Sequence, residues 1–317
     1  MDRSAHDVFQ LSDKQFNLIY NQALAAELEK LEKQQKQALS YKYIIWAFGI
    51  VLGSGCVLLS ILSDAPVYIM GIVIGFLAIW VGEEQVIRYK RAYKDVVIPQ
   101  LLKHTGADLA YTSEPEFSAK VLNNCGLISE HVDRIKAEDG IEGYLGQTAI
   151  SVAELNATRG SGRYKVTVFD GLFCSAKFAE SFDGWVWVYP ESKIVGNGTW
   201  IGDILASWGL ESFESSDRVR FDSKFETYFR AYGSSPKEVE TVLTPKLIAN
   251  LIDLYRESEK VALTVSGNQV YVAIWTNNDY LEPNPALPAK DRQAVQTKLY
   301  ELEMMLSIIE DLNVQQY

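Results

Sequence analysis

Two runs, Tyr43–Ser63 (YIIWAFGIVLGSGCVLLSILS) and Ala65–Gly82 (APVYIMGIVIGFLAIWVG), are separated only by Asp64 and decide how this chain is organised. The first has 21 residues without a charged side chain and the second has 18. Each is close to the roughly 20 residues that carry a helix across about 30 Å of hydrocarbon. The join Leu62-Ser63-Asp64-Ala65-Pro66 suits a helix stop followed at once by a new start. The expected object is a membrane hairpin over residues 43–82, with the lipid bilayer as its first partner. A buried hairpin in a soluble protein would need a very large apolar core around it, and a cleaved secretory signal would begin much nearer Met1.

Working outward, Lys30, Lys33, Lys36 and Lys42 precede the hairpin and Arg88, Lys90, Arg91 and Lys94 follow it, whereas the join has no basic residue. The positive-inside rule places both chain ends in the cytoplasm. Within the spans, Gly49 with Gly53 and Gly71 with Gly75 form small-xxx-small pairs that allow close helix approach, within the hairpin or between subunits. Trp46, Tyr68 and Trp80 suit the interfaces. Neither run carries a charge of the kind that lines an ion or proton path.

Met1 to Leu11 reads as a tail, and Ser12 with Gln15 has the spacing of a capping box. From there Phe16, Ile19, Tyr20, Ala23, Leu24, Leu28, Leu31 and Ala38 recur at helical intervals with no Pro or Gly before Phe48. This predicts an N-terminal tail and amphipathic stalk helix over residues 1–42, the helix starting near Ser12 and running into the first span. Phe16, Ile19, Tyr20, Leu24, Leu28 and Leu31 are its interface. Its apolar stripe fades after Leu31, so packing against residues 83–105, a second stalk segment, or against a partner helix is favoured over an isolated coiled coil. Val86, Tyr89, Tyr93, Val97 and Leu101 form the second stripe, with Pro99 expected to kink or restart it.

Residues 106–317 are expected to be one large or two small cytoplasmic domains. Residues 95–317 hold 32 acids and 20 bases, a net charge of −12, which makes a poor nucleic-acid surface. The segment through His131 reads as irregular or short-helical. Ile141–Leu155 and Tyr164–Phe173 read as strands joined by the turn formers of Asn156–Arg163, and Trp185–Tyr189 as another strand. Trp200–Trp208 suits a short helix, and the alternation Phe225, Thr227, Phe229, Ala231 a half-buried strand. Thr244-Pro245 opens a helix. Val261–Val265 and Val270–Trp275 flank Ser266-Gly267-Asn268-Gln269 as a predicted hairpin. A proline-rich loop, Pro283–Pro288, leads to a last helix over Asp291–Leu312. The fold class is α+β: a long N-terminal helix, a two-helix transmembrane hairpin and a mixed body with antiparallel strand clusters.

The sequence offers no catalytic, cofactor or metal constellation. The patterns of zinc proteases, dinucleotide folds, phosphate loops and nucleophile elbows are absent, and Gly160-Ser161-Gly162 joins strands instead of opening a helix. Cys56, Cys125 and Cys174 have no metal spacing. Cys125 or Cys174 beside His104 or His131 would make a nucleophilic site, but buried, ordinary thiols are the reading preferred. His6 reads as solvated, and carboxylates such as Glu138, Asp139, Asp170, Asp183 and Asp203 as faces and turns.

A series of ordered motifs resembles the bacterial membrane proteins grouped under the domain of unknown function 3137. They are Tyr93–Leu102, Asp108-Leu109-Ala110-Tyr111, Ala153-Glu154-Leu155, Val168-Phe169-Asp170-Gly171-Leu172-Phe173, Phe182-Asp183-Gly184, Phe225–Phe229 with Tyr232-Gly233, Val242–Pro245, Val270–Ile274 and Leu281-Glu282-Pro283. The resemblance implies an N-terminal helix, two spans and a cytoplasmic mixed domain, and it carries no catalytic residue. It also implies that Phe169, Leu172 and Phe173 pack while Gly171 and Gly184 permit tight geometry. Asp170 departs from the family's usual glycine after Phe169.

The function expected is that of a membrane-anchored scaffold in the bacterial inner membrane, which assembles with itself or holds another membrane-associated protein. The alternatives are a membrane-proximal hydrolase and a channel-forming or membrane-remodelling oligomer.

Overall fold

The computed structural model describes residues 13–63, 65–103, 105, 107–128, 130–190, 218–258 and 260–313. The expectations for the tail, for Ser12, Asp64 and His104, and for Trp200–Trp208 lie outside these residues. The fold is α+β, and the described residues fall into two compact units, residues 13–101 with 281–300, and residues 102–280 with 301–313.

In the helical unit, α1 (Asp13–Leu18) passes through a π-helical turn, Ile19–Leu24, into α2 (Ala25–Ser63). Before the first apolar run the buried positions are 16, 19, 24, 28, 31, 32, 35 and 38. The step of five from Ile19 to Leu24 does not fit an α-helical stripe, and the i→i+5 turn absorbs it and keeps both residues on one face. Helix α3 (Tyr68–Leu102) continues through Pro99. Its predicted stripe, Val86, Tyr89, Tyr93, Val97 and Leu101, is buried.

Both helices are long and apolar enough to cross a membrane. Their apolar side chains point outward: Ile50 and Ile61 are each 71% exposed, Phe76 is 70% and Trp80 is 67%. Large contiguous exposed apolar patches of this kind mark surfaces that contact protein or membrane. The two helices meet along small residues. A Cβ placed on Gly71 would sit 2.8 Å from the Gly53 carbonyl oxygen and 2.9 Å from Cys56 Cβ, and one on Gly82 would sit 2.7 Å from Trp46 Nε1. At the base of the belt Lys42 pairs with Glu83 at 2.8 Å and lies 4.6 Å from the Trp46 ring.

The other unit is built on one antiparallel sheet, seven-stranded among the described residues. Its elements in chain order are β1 (Asp108–Thr112), α4 (Ala119–Asn124), β2 (Arg134–Leu145), β3 (Thr148–Arg159), β4 (Val166–Pro190), β5 (Arg218–Val219), α5 (Ser223–Tyr228), β6 (Phe229–Gly233), α6 (Pro236–Val242), α7 (Pro245–Glu257) and β7 (Lys260–Trp275). The last helix, α8, is Arg292–Asn313. The strand order is β1-β2-β3-β4-β6-β5, and β7 pairs with β4.

Strands β4 and β7 crease together. Lys177 pairs with Gln269 and Trp185 with Ser266, so β4 spends eight residue steps where β7 spends three. Gly184 (φ +122°) and Gly267 (φ +58°) supply backbone conformations there that other residues rarely take. Lys260 and Trp275 begin and end β7, about 50 Å apart in a straight strand, yet Lys260 Nζ lies 4.2 Å from the Trp275 ring. The ribbon therefore folds back on itself. Phe169, Phe173 and Ala273 from one half and Trp187, Tyr189 and Ala262 from the other close one core, completed by Leu122, Cys125 and Leu127.

The structure corrects four strand readings. Residues 266–269 are not a hairpin turn but the creased middle of one strand, because β4 pairs with both flanks. Ile141–Leu155 is not one strand, because a tight turn at Gly146-Gln147 divides it between β2 and β3, while β3 runs on to Arg159 and forms the expected hairpin with β4 across residues 160–165. Phe225 and Thr227 lie in α5, capped by Asp222, whose carboxylate accepts from Phe225 N at 2.8 Å, and the strand begins at Phe229. The segment before His131 contains β1, which pairs with β2.

Candidate functional site

In the helical unit, residues 281–291 form a strap on the stalk. Gln35, 4% exposed, satisfies it with one amide: Nε2 donates to Pro285 O (2.8 Å) and Leu287 O (2.5 Å), and Oε1 accepts from Ala289 N (2.9 Å). One turn earlier, Glu32 pairs with Lys36 at 2.7 Å and Lys290 at 3.1 Å, which holds its carboxyl below the usual range. Tyr20 Oη donates to Lys290 O, and Arg292 lies over the Phe16 ring at 5.4 Å. Phe16 and Tyr20 therefore meet the chain's own residues 290–292.

On α3, Lys90 and Lys94 grip the two oxygens of Glu282 at 2.8 and 2.7 Å. Desolvation pushes this carboxyl up, but the hydrogen bonds and charges of the two lysines outweigh it and leave it below the ordinary value. Leu281, fully buried, enters the strap with φ +59°, a conformation that costs a bulky residue about 1–3 kcal/mol. Under the strap is a cavity of about 140 Å³, walled by Tyr89, Tyr93, Glu282, Leu287, Pro288 and Lys298 among others. Burial, with the Glu32 carboxylate near, pushes the Tyr89 phenol up to about 12.

The second cluster of perturbed groups sits where the creased ribbon brings the ends of β7 together. Lys260 Nζ donates to Tyr189 Oη at 2.8 Å and lies over the Tyr189 and Trp275 rings at 4.6 and 4.2 Å. Tyr189 Oη in turn donates to Leu127 O at 3.3 Å. Desolvation pulls the Lys260 amine down to about 8 and pushes the Tyr189 phenol up.

The cysteine readings can be placed. Cys125 and Cys174 are buried free thiols in the body, and burial raises both, Cys125 to about 11, so they are held protonated and unreactive. His131 is exposed and lies 3.7 Å from Asp133. Among the described residues no group of three or more His, Cys, Asp or Glu could hold a metal ion.

Of the four glycines singled out in the spans, Gly49, Gly53 and Gly71 lie at the helix contact, where a Cβ on Gly49 would overlap Ala78. Gly75 does not, since a Cβ there would meet nothing within 4 Å. Of the stalk residues, Ile19, Leu24, Leu28 and Leu31 are buried like Phe16.

Gly82, Glu32, Gln35, Glu282 and Lys260 were missed. The signal for Glu32 and Gln35 was present: the stripe that fades after Leu31 continues in register as two polar residues, which a buried face requires when its cover is backbone. Lys260 gave no signal, since its neighbours come from residues 71 and 15 positions away.

No curated protein sequence matches this chain. Among solved structures, the crystal structure of the mycobacterial trehalose monomycolate transport factor A, TtfA, is similar at 10% identity and a TM-score of 0.31, covering 67% of this chain and 96% of that one. Residues 167–314 match the model of a family described as a protein of unknown function, DUF3137. Of the motifs that carry the resemblance, those from Val168 onward fall inside the match, and Tyr93–Leu102, Asp108–Tyr111 and Ala153–Leu155 fall outside it. Inside it Phe169, Leu172 and Phe173 are buried, and a Cβ on Gly171 would overlap the Ile274 carbonyl oxygen. Asp170 keeps its place in the ladder, its carbonyl accepting from Thr276 N at 3.2 Å. Over residues 167–314, the chain carries a DUF3137 family domain.

Proposed function

We propose that this chain is a membrane-anchored scaffold. Its hairpin spans the bacterial inner membrane, both ends lie in the cytoplasm, and the acidic α+β body assembles with further copies or holds a membrane-associated protein. The observation that carries the reading is the exposed apolar belt on α2 and α3, which continues without a helix break into a polar stalk clamped by residues 281–291. Lipid is the solvent that such a belt fits. The strap fixes the two stalk helices to one another through Gln35 and Glu32 on one side and Lys90 and Lys94 on the other, which suits a rigid support.

The test is the mass of the complex gently extracted from its native membrane, with cross-linked peptides identified. The scaffold reading expects a mass above that of one 35.7 kDa chain, with cross-links from residues 106–317 to another copy or another subunit. A solitary protomer overturns it. Labelling of intact and opened cells at cysteines placed near residues 33 and 240 checks the topology, and both are expected to react only after the membrane is opened.

A further inference from the structure

The cavity under the strap has one buried polar group left to offer. Tyr89 is 4% exposed, its ring lies edge-on to that of Tyr93 at 6.3 Å, and among the described residues its hydroxyl has no hydrogen-bond partner. The hydroxyl oxygen keeps contact with the cavity space instead of being sealed in protein. The charged groups of the wall are already engaged: Lys90 and Lys94 take both oxygens of Glu282, and Lys298, 8% exposed, has a partner of its own. Leu287 and Asn284 line the cavity and are exposed, so it opens to solvent on their side. The rest of the wall is flat or apolar, from Tyr93, Pro283, Pro288, Ala289 and Ala294.

Size and polarity together select the occupant. An apolar cavity of about 150 Å³ accepts a benzene ring, and this one, at about 140 Å³, is of that size. A charged ligand would shed its hydration where the charges of the wall are already matched, a cost that a neutral ring avoids. We propose that this cavity binds a small neutral compound of one six-membered ring carrying an oxygen acceptor, a phenol being the simplest, with the ring packed on the tyrosine and proline walls and its oxygen accepting from Tyr89 Oη. The acceptor is specified because an unpartnered buried hydroxyl is costly until something pairs with it. Burial keeps the Tyr89 phenol protonated at neutral pH, so it has the proton to donate. The walls all come from α3, the strap and α8, and the site does not depend on the scaffold reading.

The experiment uses the full chain in lipid nanodiscs at neutral pH with para-fluorophenol, which is uncharged there, and follows its fluorine NMR signal. A saturable shift is expected, displaced by excess phenol and absent in Ala294→Leu, whose larger side chain fills the cavity. Tyr89→Phe keeps the ring and removes only the hydroxyl. It should weaken para-fluorophenol by about threefold to tenfold, the worth of one neutral hydrogen bond, and leave the binding of fluorobenzene, which has no oxygen, unchanged. At about ten times its Kd, para-fluorophenol should also slow hydrogen exchange over residues 282–291 of the wild type by about tenfold, because it binds the closed strap alone. A signal that excess phenol does not displace, or that persists in Ala294→Leu, overturns the proposal. So does a Tyr89→Phe variant that binds para-fluorophenol as tightly as the wild type, or that loses both probes alike.

Discussion

Replacing Gln35 by alanine tests whether the strap is held as described. The substitution removes three hydrogen bonds at once. Pro285 and Leu287 are partly or well exposed, so water can reach their carbonyls, and their loss is the smaller part. Ala289 is 3% exposed, and its N–H is left without its partner in a dry place. One buried orphan costs about 1–3 kcal/mol and each resolvated bond somewhat less, so the strap loses about 2–4 kcal/mol. At roughly 1.4 kcal/mol per factor of ten, its opening equilibrium shifts by about 30- to 1,000-fold.

The assay is hydrogen exchange of the full chain in nanodiscs. Peptides covering residues 282–291 should lose protection by that factor while those covering α7 stay unchanged. Gln35→Glu keeps the acceptor for Ala289 N but sets a carboxylate against two carbonyls, and should open the strap as much as alanine does. Exchange over residues 282–291 within threefold of wild type in Gln35→Ala refutes the reasoning.

The remaining predictions use other parts of the molecule. Gly71→Val drives a methyl-bearing carbon into the Gly53 carbonyl and Cys56, which cannot swing away; it should cost about 1–3 kcal/mol in detergent unfolding, whereas Gly75→Ala should change stability by under about 0.5 kcal/mol. Glu282→Gln removes the anion shared by Lys90 and Lys94 and should release the strap. Because the Glu282 carboxyl lies below its ordinary value, its stabilisation is complete above the unfolded pKa and is lost as pH falls through the folded one, which hydrogen exchange in mild acid would read. For Lys260 the amine is lowered to about 8 from 10.5, so between these pH values the unfolded chain binds the extra proton and folding becomes more favourable as pH rises. The difference in unfolding free energy between wild type and Lys260→Met should therefore rise by up to about 3 kcal/mol in favour of wild type from pH 7.5 to 10.5. A pH-independent difference would sink that account.

Part of this was open to inspection in the chain itself. Two uncharged runs of membrane length are a property of consecutive residues, and so are the caps: Thr244 accepts from Leu247 N at 3.3 Å where Thr-Pro predicted a helix start. The π turn was not legible, since Ile19 with Ala23 and Tyr20 with Leu24 both keep α-helical spacing and only burial selects Ile19 and Leu24. The readings that failed were those in which one segment had two local solutions. Ser266-Gly267-Asn268-Gln269 has the composition of a tight turn, but a glycine with positive φ serves equally in a crease, and only β4 pairing along both flanks of it selects the crease. Phe225–Ala231 alternates like a strand, yet the Asp222 cap turns its first half into a helix.

The sequence by itself determined that the chain has two helices of membrane length, a polar stalk and an α+β body, because charge exclusion and periodicity are encoded among near neighbours. Only the tertiary structure decided that Gln35 closes a strap 250 residues away and that the two ends of β7 bring Lys260 onto Trp275. Those contacts depend on which distant backbone groups and ring faces arrive at one place. No spacing along the chain records that.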